Sequence, residues 1–550
     1  MKSKITFFTI LITFISFLNA QEGVNLELVK DINISGNSEP GSFIDLQGSL
    51  IFVATDVDHG RELWISDGTE GGTQLLKDIR TGTASSNPSQ LTLYGNHVIF
   101  TAQTDEEGNE VWITDGTEAG TVILSDIRPG TASSFAFEFT EYNNAIFFRA
   151  NNGSEGTELW KTDGTTSGTV MVSDIRNGQS GSNPTAFVVY NGLLYFRAND
   201  GFDPGQHGFE LWVSDGTDSG TSLFMDINPN GNSNPQTFYV FDNMLYFVAD
   251  DGTNGIELWH TDGTMAGTQI VSDINPNGNS LPSYLYAANN ELFFTAYTQD
   301  SGRELWKTDG TEAGTVLVKD VSPGTGDGMF TQFSIIEYQN NVYFTGVDGV
   351  HGAEIWVTDG TESGTHVFKD IFAGSEYSIS YAGRVDFQIY NGLLVFRAMD
   401  DLVNGYQLWL SDGTIDGTQE FIPDSVENPN ALWLTPGFTV MGDSLYFQAN
   451  FDGAYGSELY KLTYTENLST EEFSATNFEV FPNPTTDYVT ISSVNEDLQS
   501  VEVYNTLGKQ IFNIVPSQQR IDLSQCNPGI YFLRLTSTSG NYMIKKIIKN

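Results

Sequence analysis

Short apolar runs alternate with polar, glycine-rich turns along nearly the whole chain. From Ser42 the pattern predicts a strand over Phe43–Leu46 (strand a), then one over Leu50–Ala54 (strand b). A polar loop, TDVDHG, follows. Glu62–Ser66 (strand c) sets an apolar Leu-Trp-Ile run between Glu and Ser and ends at an Asp-Gly turn. Gln74–Ile79 (strand d) comes next, and a loop rich in Gly, Ser, Asn and Pro leads to the next unit. Short strands separated by turn signals at even spacing predict an all-β array.

The unit recurs. ELWISDGTEGGT at Glu62–Thr73 returns as EVWITDGTEAGT at Glu110–Thr121 and ELWKTDGTTSGT at Glu158–Thr169. The strand c tryptophans are Trp64, Trp112, Trp160, Trp212, Trp259, Trp306, Trp356 and Trp409, spaced 47 to 53 residues apart. A ninth copy at Glu458–Tyr460 keeps the strand and loses the DGT. Strand b carries a phenylalanine column that begins Phe52, Phe100, Phe148. The end of strand d carries an aspartate column from Asp31 and Asp78 to Asp424. A glycine column runs from Gly60 to Gly456. Each column has nine members.

The first unit lacks its early strands, and the ninth lacks strand d. Val24–Asn33 (VNLELVKDIN) resembles later d strands such as QLLKDI. Placing it beside Glu458–Thr463 shuts a ring and removes the free edge. The expected fold is a β-propeller of about nine four-stranded blades, closed by the N-terminal strand, over residues 21–463. An open spiral and two smaller propellers are the alternatives. Blade four carries an insertion, GFDPGQ, in its b–c loop.

Residues 1–20 place two lysines before an apolar run that ends Asn-Ala, the pattern of a signal peptide cut after Ala20. No later stretch is long and apolar enough to span a bilayer. The repeat stops near Thr465. A polar linker is expected over 464–477 and a small β-sandwich over 478–550.

Charge narrows the partners. The 550 residues carry 70 acids and 24 bases, a net −46. Such a surface repels nucleic acid and anionic membrane. The single cysteine, Cys526, allows no intrachain disulfide, so folding rests on packing.

The chemistry-bearing positions have bland and sharp readings. The tryptophans are expected in the wedges between blades rather than as an exposed sugar platform. In the turns (Asp67, Gly68, Thr69; Asp115, Gly116; Asp163, Gly164), Asp bonds the downstream backbone and Gly supplies a positive φ. A ring of calcium ligands is the alternative. On the opposite rim, Asp56, Asp58, Asp200, Asp203, Asp250, Asp251, Asp400 and Asp401 crowd the b–c loops. They either cap their own loops or bind Ca²⁺ weakly. No cofactor is required. No zinc, nucleophile-triad or phosphate-loop motif is present. Near-identical units argue against a catalytic centre, which needs unlike residues from different blades, although paired acids in a propeller centre would suit glycoside hydrolysis.

Two segments resemble known families. Glu62, Leu63, Trp64, Asp67, Gly68 and Thr69, with their copies to Thr418, resemble the ELWxxDGT repeat proteins, found mainly among exported proteins of Bacteroidota. Gln407 and Tyr460 depart from that motif. Pro482-Asn483-Pro484, Leu507-Gly508, Gly529, Tyr531 and Lys545-Lys546 resemble the type A sorting domain of the type IX secretion system. That resemblance implies Sec export, passage across the outer membrane by the type IX machinery, and removal of the domain. The mature chain would be secreted or attached to the outer surface. A non-catalytic recognition surface for an extracellular protein or glycan is the expected function. The alternatives are a purely structural surface protein and a polysaccharide-active enzyme.

Overall fold

The structure is a computed structural model that describes residues 23–330, 332–379, 385–403, 405–421, 431–432, 435–451, 453, 455–464, 478–493, 498–505, 510–514, 520–537 and 542–550. The expected leader at 1–20, Asp424, Gly508 and residues 465–477 of the expected linker lie outside the described residues. The chain divides into two units, Met1–Thr465 and Glu466–Asn550.

In the first unit, among the described residues, nine four-stranded antiparallel sheets follow one another. Blade one consists of Gly41–Leu46, Ser49–Asp56, Gly60–Ser66 and Gln74–Lys77, paired in the order a-b-c-d. Blades two to eight repeat that order. Blade nine takes Thr439–Met441, Ser444–Ala449 and Glu458–Tyr464 from the end of the unit and Val24–Lys30 from its beginning. The closing pair is antiparallel, with Val24 opposite Tyr464 and Leu28 opposite Tyr460. The ring is single and closed.

Alternation explains why both faces of every sheet are apolar. Residues of one parity face the preceding blade: Leu50, Phe52, Ala54 and Trp64 pack on Met441, Tyr446 and Leu459 of blade nine. Residues of the other parity face the next blade: Ile51, Val53 and Leu63 pack on Val98, Phe100 and Trp112. The same interlock recurs around the ring. At the last wedge Leu408 and Leu410 of blade eight meet Leu445, Phe447 and Leu462 of blade nine. Phe52 and Trp64 are direct cross-strand partners, as are Phe100 and Trp112, and Phe148 and Trp160. Burying such side chains contributes about 1.5–3 kcal/mol each.

Strand d is shorter than its sequence pattern predicts. A bulge between Leu63 and Trp64 shifts the register, pairing stops at Lys77, and Asp78 begins the following loop. The aspartate column thus belongs to the d–a loops.

The second unit holds a three-stranded sheet (Phe478–Phe481, Tyr488–Ser493, Arg520–Asp522) and a four-stranded sheet (Gln510–Ile514, Leu498–Asn505, Gly529–Ser537, Tyr542–Lys549). Val489, Ile491, Ile521 and Leu523 of the first meet Val501, Val503, Leu533, Leu535 and Ile547 across one core. This is the small β-sandwich.

Candidate functional site: the loop face and the channel it rims

The a–b and c–d turns form one face of the ring, here the turn face. The b–c and d–a loops form the other, the loop face. On the loop face, in every blade but the eighth, the long d–a loop is held by one buried carboxylate. Glu62, the first residue of the ELW motif, is fully buried. Its Oε2 accepts from Ile79 N at 3.1 Å and its Oε1 from Ser86 N at 2.8 Å, while Ser86 Oγ also donates to it. Glu158 takes Ile175 N and Ser182 N, Glu210 takes Ile227 N and Ser233 N, and Glu354 takes Ile371 N. Burial pushes the carboxyl groups of Glu62, Glu110, Glu158, Glu210, Glu257, Glu354 and Glu458 up to about 7 against the pull of these donors. Glu304 rises to about 8. Its loop has Gly328 beside the carboxylate where other blades place serine, and it takes Val321 N and Ser322 N.

The b–c carboxylates are engaged mainly with their own loops. Asp56 Oδ1 accepts from Asp58 N and His59 N, and Asp56 Oδ2 meets His59 Nδ1 at 2.7 Å. That contact raises the His59 pKa above its usual value. Asp200 holds His207 in the same way, and the backbone N–H of Asp203 donates to Gln206 Oε1. Asp250 Oδ1 takes Gly252 N, Asp251 Oδ1 takes Thr253 N and Asn254 N, and Asp401 Oδ1 takes Val403 N. Burial raises the Asp400 pKa, with Asp401 adding to it. These four acidic pairs belong to four different blades. Among the described residues no group of three or more His, Cys, Asp or Glu side chains could hold a metal ion.

The DGT turns share one geometry. Asp67 Oδ1 accepts from Thr69 N at 2.9 Å and Thr69 Oγ1 at 2.7 Å, and Thr73 Oγ1 donates to Thr69 O. Asp115 and Asp163 repeat this with Thr117 and Thr165. The threonine hydroxyls hold these carboxyls below their usual range. Gly68, Gly116 and Gly164 have φ of 87°, 86° and 84°. Gly116 lies against Leu46 and Ile65 of the preceding blade and Gly164 against Tyr94 and Ile113, so each turn docks on its neighbour. Trp64, Trp112, Trp160, Trp212, Trp259, Trp356 and Trp409 are buried, and Trp306 is partly buried.

Strand a is innermost and lines the central channel. In blades one to six its second residue is a bulge with φ of 55° to 61°: Ser42, Gln90, Glu138, Ala186, Thr237 and Tyr284. Side chains link successive bulges: Glu138 N donates to Gln90 Oε1, and Ala186 N donates to Glu138 Oε2. A recess of about 570 Å³ is lined by Phe43, Phe139 and Phe187 together with Ser42, Gln90 and Glu138, among others. Its aromatic rings are backed by the strand b column, with Phe139 edge-on to Phe148 at 5.2 Å. Two functional features escape the sequence reading. One is the glutamate–serine clasp, whose trace is the serine column Ser38, Ser86, Ser134, Ser182. The other is the strand a aromatics.

In the sandwich, Pro482, Asn483 and Pro484 sit at the end of the first strand. Asn483 Nδ2 donates to Lys546 O at 2.7 Å and Asn483 Oδ1 accepts from Ile548 N at 2.9 Å. Gly529 opens a strand opposite Lys549, and Lys545 and Lys546 are exposed.

Residues 479–550 match the secretion system C-terminal sorting domain. An endo-acting ulvan lyase of Formosa agariphila is 33% identical over 95 residues, 16% of this chain and 18% of the lyase, so the match spans under a fifth of that relative. Among solved structures, a prolyl endopeptidase aligns with 68% of this chain over 56% of its own at 11% identity and a TM-score of 0.37. PorZ, a surface component of the type IX secretion system of Porphyromonas gingivalis, aligns with 93% of this chain over 81% of its own at 12% identity and a TM-score of 0.25. Scores this low bear on neither activity nor partner. No helix among the described residues is long and apolar enough to cross a membrane. With its C-terminal sorting domain, the chain is an exported β-propeller delivered to the outer cell surface by the type IX secretion route.

Proposed function

We propose that the propeller is a non-catalytic recognition module whose loop face and channel mouth receive an extracellular protein or glycan. One observation carries this reading: the blades repeat the same clasp, turn and tryptophan wedge, while large apolar side chains stand exposed on the loop face at non-repeating positions. Phe135, Phe202, Leu402 and Val403 are 65%, 66%, 75% and 78% exposed. Rigid blades under variable loops are the usual arrangement of a binding scaffold. The carboxylates of Asp56, Asp200, Asp250, Asp251 and Asp401 accept from their own loop backbones, which supports recognition without a required metal, and any Ca²⁺ bound there would be weakly held. The ELWxxDGT resemblance agrees, since that family occurs among exported proteins.

The test is to incubate the full mature chain with arrays of extracellular proteins and of glycans. Saturable binding to one of them is expected, with no shortening of any glycan. Absence of binding on both arrays would leave only a structural role, and turnover of a bound polysaccharide would show an enzyme.

A further inference from the structure

The d–a loops entering blades three and six set a large apolar residue where the loops of blades one, two, four and five set a polar one. The residue after the clasp serine takes a positive φ of 46° to 54° in blades one to six. Blades two, four and five place Asn87, Asn183 and Asn234 there, the residue type that tolerates this conformation. Blade one places Glu39 and blade six Leu281, which is 40% exposed, while blade three places Phe135, an aromatic ring in the same strained backbone that is 65% exposed. Two residues on, Phe137 is 41% exposed, with the Arg149 guanidinium 5.1 Å from its centroid. Ala136 between them is buried. Phe137 is followed in the chain by Glu138, which lines the channel recess together with aromatic rings, hydroxyls and the Gln90 amide.

We propose that Phe135, Phe137 and this recess form a binding site for a neutral oligosaccharide. The proposal rests on the recognition reading above and names the ligand class. Sugar rings present C–H faces that stack on aromatic rings and hydroxyls that pair with groups such as Ser42 Oγ and the Gln90 amide, and a concave site mixing apolar walls with a few polar groups is the usual form of a small-ligand site. The charges nearby are already engaged. Glu138 Oε2 holds Ala186 N, Arg197 Nε donates to Thr185 Oγ1 at 3.1 Å, and the Arg197 guanidinium lies 5.3 Å from the Phe209 centroid. The whole chain's net charge of −46 repels polyanions. The patch of two rings is also far smaller than the ~800 Å² per partner of a stable protein interface.

Calorimetric titration of the full mature chain with neutral hexasaccharides (gluco-, manno-, xylo- and chito-series), and with oligogalacturonate and alginate oligomers, tests this. At least one neutral series is expected to bind, with no heat from the anionic ones. Phe135→Ala and Phe137→Ala should each weaken binding about tenfold or more without changing the melting temperature, and Met265→Ala on the turn face should leave it unchanged. The proposal falls if no neutral series binds, if an anionic series binds more tightly, or if the double Phe variant binds normally. A protein ligand found in its place would overturn this site while leaving the recognition reading intact. Failure on every array would remove both.

Discussion

Ser38 and Glu458 lie 420 residues apart in the chain, and Ser38 Oγ donates to Glu458 Oε2 at 2.6 Å. The same carboxylate takes Ser38 N at 3.1 Å and Ile32 N at 2.8 Å. The clasp that elsewhere fastens a d–a loop within one blade here fastens the two ends of the ring. Losing it leaves buried donors without an acceptor, which costs about 1–3 kcal/mol per group. Glu458→Ala is therefore expected to lower the melting temperature more than Glu62→Ala, because opening the ninth blade also frees Val24–Lys30. Limited proteolysis should then cut first within residues 24–40. Equal losses in the two variants, with no early N-terminal cut, would contradict this account of closure.

The clasps also set a pH dependence. Their folded-state carboxyls sit at about 7, and that of Glu304 at about 8, against an ordinary value of 4.5. A carboxyl raised on folding means that the folded state binds more protons than the unfolded one between those values. Stability is therefore greatest below about pH 4.5–5 as far as these groups are concerned, and it falls as pH rises to 7–8. The DGT aspartates act oppositely, since they are held below 3.8, so their contribution is lost only in stronger acid and does not cancel the first trend. At the corresponding position blade eight carries the buried, uncharged Gln407. Thermal melts of the mature chain should show a higher midpoint at pH 5.5 than at pH 8. Glu304→Gln should reduce that difference, since a tenfold change in proton affinity corresponds to ~1.4 kcal/mol. A midpoint that climbs from pH 5.5 to 8 would refute the assignment.

Two neighbouring glycines separate turn chemistry from mere flexibility. A Cβ on Gly72 would lie 1.9 Å from Asp67 Oδ1, whereas one on Gly71 would meet nothing within 4 Å. Gly72→Ala must displace the exposed carboxylate that organises the turn and is expected to cost about 1 kcal/mol, the typical loss for a destabilising substitution. Gly71→Ala should be neutral or slightly stabilising, by roughly 0.4–1 kcal/mol through the unfolded chain. Chemical denaturation of the two variants checks the pair, and equal effects would show that the Asp67 contact does not matter.

Much of the ring was legible because its cause is local. Trp64 and Phe52 alternate with their neighbours at the strand period, and Val24–Asn33 repeats the composition of strand d, so blade count and closure follow from pattern alone. The clasp was hidden because Glu62 and Ser86 are 24 residues apart and meet only after the d–a loop folds back. A carboxylate inside the ring contradicts the rule that Glu stays in water, and only its shared donors explain it. Strand d is shorter than its pattern for a similar reason: the bulge at Leu63 and Trp64 leaves no mark in composition, and pairing ends before Asp78. Phe135 is not legible in the sequence, because a phenylalanine gives no signal of a positive φ.

The sorting sandwich carries the last prediction. Asn483, between two prolines, bridges the final strand through Lys546 O and Ile548 N. Those two bonds tie the first strand's exit to the exposed basic end of the domain, Lys545 and Lys546. Asn483→Ala removes both, at about 0.5–1.5 kcal/mol each, from a sandwich whose single core is small. In the native host, this variant is expected to reduce the surface-exposed fraction and raise the periplasmic one, and deletion of 479–550 should abolish surface display. Lys545→Ala with Lys546→Ala leaves those two bonds in place, because the Asn483 amide meets the backbone carbonyl of Lys546 rather than its side chain. Any export defect in that double variant would then report recognition by the secretion machinery rather than folding. Protease shaving of intact cells measures all three. Normal display of the Asn483 variant would show that this bridge plays no part in export.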